Sequence, residues 1–71
     1  MAVSRQVEER VAAAMSELSQ QERTAFVLRH FEGLSIEQIS GTLGVGCNAA
    51  KHSIFRAVQK LRAALEPLVE A

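Results

Sequence analysis

Between Asn48 and Leu65 the side chains sort into two opposite stripes at the α-helical period. Ala50, Ile54, Ala57, Val58, Leu61 and Leu65 fall on one side, and Asn48, His52, Phe55, Arg56 and Gln59 fall on the other. A helix so patterned puts its apolar stripe in a core and leaves donors, acceptors and a ring facing outward. Just upstream, Ile36, Ile39, Leu43 and Val45 mark a short amphipathic helix that stops at Gly44. A short helix, a glycine-bounded turn and a longer two-faced helix read as a helix-turn-helix whose second helix is the recognition helix.

The rest of the chain supplies further helices and no strand. Val7, Val11, Ala14, Met15 and Leu18 recur at helical spacing, which predicts a first helix over about Ser4 to Glu17. Ser19 and Glu22 have capping-box spacing, so a second helix starts near Gln20, and glycine at Gly33 suits its end around Glu32. Ser35 and Gln38 repeat the box and open the third helix, and the fourth is expected to stop at Glu66, before Pro67. The fold class is therefore all-α: one compact four-helix domain over residues 1–71 with a C-terminal helix-turn-helix. The second helix carries Ala25, Phe26, Val27, Leu28 and then Phe31, so it is expected to be the one the others pack around, with Phe26 and Phe31 in the core. Phe55 has two readings: it caps the core edge, or it touches a thymine methyl group in the major groove.

Length and composition bound the function. At 71 residues and 48 % hydrophobic content the chain can build only a modest core. One cysteine makes no internal disulfide, no apolar run is long enough to span a membrane, and a signal peptide's basic start and cleavage site are missing, so a cytoplasmic location is expected. His30 and His52 lack a second ligand at helical spacing, so no metal site is read, and no cofactor motif is present. His30 reads as a surface residue and Cys47 as a small, semi-buried side chain. Ser53 and Thr42 have no His and Asp to activate them, so no catalytic residues are assigned and the chain is read as a non-enzyme with no small-molecule substrate.

The net charge is zero and the isoelectric point is about 6.7, below the usual value for a nucleic-acid binder. The distribution says more. Residues 1–38 hold four arginines against six glutamates, a net of −2, while residues 39–71 hold Lys51, Arg56, Lys60 and Arg62 against Glu66 and Glu70, a net of +2. Four cations on the candidate recognition helix predict weak electrostatic attraction to a duplex.

From Ser19 to about Leu65 the chain resembles domain 4 of bacterial sigma-70-family sigma factors, especially the extracytoplasmic-function group. The resemblance is carried by the run from Leu18 to Ser35, by Ile36, Ile39, Leu43 and Val45, and by Phe55 through Arg62. It implies a module that binds the promoter −35 element through its last helix while the β-subunit flap of core RNA polymerase docks on it. The family's reading positions, carried over, are Lys51, His52, Phe55 and Arg56. With Asn48 and Gln59 from the polar stripe they form the candidate DNA-binding set, Lys51 suiting a phosphate contact. Phe31 and Leu34, at a helix end and loop, are the candidate polymerase-docking residues. An anti-sigma factor is a further candidate partner.

The chain departs from the family pattern at the turn and the helix start. Gly46 stands where Ser or Pro is common, Asn48, Ala49 and Ala50 where Gly, Thr and Val are common, and Ser53 where Arg is common. The missing Thr hydroxyl and Arg would remove backbone contacts, and Asn48 could cap a helix that starts later than Gly46 would allow. The family's −10-melting domain is not in this sequence, so the chain is read as a piece of a longer factor. Two alternatives remain from the residues alone: a LuxR-type response-regulator output domain, and a helix-turn-helix retained as a scaffold for a protein partner such as an anti-sigma factor.

Overall fold

The computed structural model describes residues 5–69 as four helices: α1 over Arg5–Ser16, α2 over Gln20–His30, α3 over Ile36–Leu43 and α4 over Cys47–Val69. Serine caps start the two middle helices. The Ser19 hydroxyl accepts the Glu22 amide at 3.1 Å while the Glu22 carboxylate accepts the Ser19 amide at 2.9 Å. Ser35 and Gln38 make the same reciprocal pair at 3.1 and 2.9 Å. Each box satisfies amides that a helix start otherwise leaves without partners.

Left-handed glycines end them. The Phe31 and Glu32 amides both donate to the Val27 carbonyl, at 2.9 and 3.1 Å, so α2 stops at His30, earlier than Glu32. Gly33, with φ 72°, then turns the chain, and the Leu34 amide returns to the Leu28 carbonyl at 3.0 Å. Gly44, with φ 71°, closes α3, and the Val45 amide reaches the Ser40 carbonyl at 3.1 Å. The Ser40 hydroxyl donates to the Val45 carbonyl, which clamps the turn from its other side.

The hub of the fold is α4, not α2. At 23 residues, about 35 Å, α4 packs against α1, α2 and α3, while α2 packs against α3 and α4. Periodicity on α2 misled because a wide apolar face says little about reach, and α4 has twice the length on which to seat partners. The buried core consists of Ala14, Leu18, Ala25, Ile39, Ala50 and Ala57. Four of these six are alanines, which let helix backbones approach closely. Among the described residues Ile39 is the one large side chain that is fully enclosed, and its burial contributes about 2–3 kcal/mol. Leu28, Leu34, Ile36, Leu43, Val45 and Ile54 pack around the Ala25, Ile39 and Ala50 cluster.

Four further expectations are corrected. Phe31 is not a core residue: it is 74 % exposed, because α2 has ended and the C-cap backbone aims its ring outward, edge-on to Phe26 with ring centres 6.2 Å apart. Cys47, the first residue of α4, is exposed rather than semi-buried. Asn48 is not the cap of α4, because the Ala50 amide already bonds the Gly46 carbonyl at 3.0 Å and the helix starts at Cys47. Finally, α4 continues past Pro67 to Val69. Proline lacks one amide donor but adopts helical φ readily, so a last turn can carry across it.

Candidate nucleic-acid interface

The turn and α4 together define an exposed face. At about 100° per residue, Asn48, Lys51, His52, Phe55, Arg56 and Gln59 span an arc of roughly 140° on α4, and all six are exposed. Across the helix lie the enclosed Ala50 and Ala57 and the half-buried Ile54, Val58, Leu61 and Leu65. Phe55 is 60 % exposed, which favours the outward reading of its ring over a core cap. Such a face offers an apolar ring, amides, an imidazole and two cations at successive turns, the chemistry with which helices read base edges and phosphates.

Shallow apolar hollows flank this face. Along one edge Lys51 and Phe55 border a hollow shared with Arg29, His30, Ile36, Ile54 and Val58. Farther down α4, Phe26, Val58, Leu61 and Leu65 line a groove of about 580 Å³. His30 is exposed, as expected, and its ring lies 4.6 Å from that of Phe26.

The opposite edge is polar, and sequence reasoning missed it. Ser53 is only 7 % exposed and accepts a hydrogen bond from Gln21 Nε2 at 2.8 Å. Glu22 is 6 % exposed and receives Lys60 Nζ at 2.8 Å on Oε1, the same oxygen that accepts the Ser19 amide. Lys60 also donates to the Glu17 carbonyl at 3.4 Å. The Lys60 hydrogen bond, then the Ser19 amide, hold the Glu22 carboxyl below its ordinary value of 4.5 against the opposing effect of burial, with Arg56 adding through-space attraction. His52 and Arg56 line the same crevice as Ser19, Gln21, Glu22 and Ser53. Lys60, counted above among cations facing a duplex, is thus paired with Glu22 within the domain, although its side chain keeps 44 % of its surface exposed.

Leu34 and Phe31, the candidate docking pair, part company. Leu34 is half-buried against the core, and its carbonyl accepts Arg29 Nη1 at 2.8 Å. Phe31 alone of the two presents its side chain freely. Among the described residues no three His, Cys, Asp or Glu side chains gather as a metal site, and no helix is long and apolar enough to cross a membrane.

Comparison with known proteins identifies the family of the chain. The family profile described as "Sigma-70, region 4" matches residues 8–61. The RNA polymerase sigma-E factor of Streptomyces antibioticus is 38 % identical over 53 residues, covering 75 % of this chain and 29 % of that protein. The RNA polymerase sigma-H factor of Pseudomonas aeruginosa is 36 % identical over 64 residues, covering 90 % of this chain and 33 % of its own length. The RNA polymerase sigma-E factor of Streptomyces avermitilis is 37 % identical over 49 residues. The chain therefore spans about a third or less of the length of these relatives.

Proposed function

The chain belongs to the sigma-70 region 4 family, and from that premise we propose that it is a promoter-recognition module, reading the −35 element through α4 while docked on core RNA polymerase. The observation that carries this reading is the exposed arc of α4 from Asn48 to Gln59, set opposite a buried stripe and behind a left-handed glycine turn. In this proposal Arg56 reads a guanine edge, Phe55 contacts a thymine methyl group, and Asn48, His52 and Gln59 make polar contacts in the major groove. Lys51, at the edge of the arc, holds a phosphate. Few cations face the duplex, so the isolated module binds weakly, and attachment to polymerase supplies the effective concentration that binding needs. The role is recognition rather than catalysis, and family membership sets the LuxR-type alternative aside.

Polymerase docking is proposed at a second surface centred on Phe31, whose ring is free to enter a partner, with Leu34 supporting the loop from the core side. The β-subunit flap is the proposed partner there. An anti-sigma factor, where one operates, would compete for apolar surface of this kind.

The test compares Arg56→Ala and Lys51→Ala on a duplex selected by the parent from a randomised library and on a scrambled duplex. Arg56→Ala is expected to lose about 1–3 kcal/mol more on the selected duplex than on the scrambled one, and Lys51→Ala to weaken both alike. Equal losses on both duplexes for both variants would remove Arg56 from base readout.

A further inference from the structure

We propose that Gln21, on α2, is a positioning residue for DNA readout: its hydrogen bond to the buried Ser53 sets the rotation of the N-terminal half of α4 and so the aim of His52 and Arg56. The inference rests on the DNA-reading role proposed above. Ser53 lies between those two residues in sequence, at the edge of the core stripe, with Gln21 Nε2 2.8 Å from its hydroxyl. Two turns on, Lys60 is fixed to Glu22 at 2.8 Å. These two attachments lie about 10 Å apart along α4, and both reach adjacent residues of α2's first turn. Glu22 is itself locked by the Ser19 capping box.

The apolar contacts of this part of α4 cannot set its rotation as sharply. Ala50 and Ala57 present only methyl groups there and Ile54 is only half-buried against the core cluster, so the restraint comes from dispersion, which changes slowly with a small roll. A hydrogen bond is directional and weakens steeply with misalignment. A roll of about 20° moves a side-chain tip roughly 6 Å from the axis by about 2 Å, enough to break a bond to a base edge. With the Lys60 attachment intact, loss of the Ser53 attachment frees the end of α4 that carries the reading residues, while phosphate contacts on flexible stems persist.

The experiment measures the preference ratio, scrambled-duplex Kd over selected-duplex Kd, for the 71-residue chain and for Gln21→Ala, Ser53→Ala and the double variant, each shown by thermal melt to be fully folded at the assay temperature. Both single variants are expected to lower the ratio about five-fold, the double to lower it no further, and the salt slope to stay that of the parent. Retention of the parent's ratio in either single variant, or an additive fall in the double, overturns the inference and leaves the DNA-reading role standing. A parent that prefers no duplex overturns that role and the inference with it.

Discussion

Lys60 on α4 donates to the Glu22 carboxylate on α2 at 2.8 Å, and the same carboxylate oxygen takes the Ser19 amide that begins α2. One buried oxygen therefore serves a helix start and a helix–helix contact together. Its charge is held by these donors, and its pKa lies below the ordinary 4.5. A carboxyl with a lower pKa in the folded than in the unfolded chain stabilises the fold fully above the ordinary value, where both states are ionised. As pH falls, the unfolded chain takes up the proton first, and the contribution disappears as pH passes through the depressed folded value.

Glu22→Ala is expected to destabilise the domain by about 2 kcal/mol, because both Lys60 and the Ser19 amide lose their acceptor. Glu22→Gln should cost about half of that, since an amide oxygen still closes the capping box. Urea melts from pH 7 down to pH 3 provide the check: the parent should lose part of its stability below pH 4.5, and Glu22→Gln should lack that part. An identical acid response in both would remove Glu22 as its source.

The turn offers a contrast between neighbouring glycines. Gly44 has φ 71°, and although a methyl group there would meet nothing within 4 Å, the backbone conformation alone should make Gly44→Ala cost about 1–2 kcal/mol. Gly46 has no positive φ and also has open space around it. Gly46→Ser should stabilise the domain by a few tenths of a kcal/mol, as a better cap for α4. Thermal melts that rank the two variants the other way would refute this reading of the turn.

Binding to duplex DNA should respond weakly to salt. With Lys60 paired to Glu22, Lys51, Arg56 and Arg62 are the exposed cations of α4 left to meet phosphates, so the log–log slope should lie at roughly −2 to −3. Lys60→Ala should leave the slope unchanged while lowering the melting temperature. A titration in which it flattens by a full unit would place Lys60 on the DNA.

Phe31 and Leu34 should separate docking from folding. Phe31→Ser removes an exposed ring and should change stability by no more than about 0.5 kcal/mol while weakening binding to a β-flap fragment. Leu34→Ser places a hydroxyl against the core cluster and should destabilise by about 2 kcal/mol. Unchanged flap binding by a folded Phe31→Ser chain would rule out the proposed docking surface.

What could be read from the chain was local. Both capping boxes span four residues, and the two faces of α4 repeat every turn, so spacing alone reveals them. The Gln21–Ser53 and Glu22–Lys60 contacts join residues 32 and 38 positions apart, a range at which helical spacing carries no information. A partial signal existed: Ser53 and Lys60 stand seven residues apart beside Ala57, on the core side of the helical wheel, where polar groups need partners. Phe31 was misplaced for a different reason. Ending α2 one or two residues earlier swings the next side chain through a large angle, so an aromatic at a helix end takes its environment from the exact boundary.

The central position of α4 has an evolutionary corollary. Its inner side is committed to three neighbouring helices, whereas the six outward residues from Asn48 to Gln59 are all exposed. On the proposed reading, substitution along the outward arc readdresses the domain to another sequence without renegotiating the scaffold.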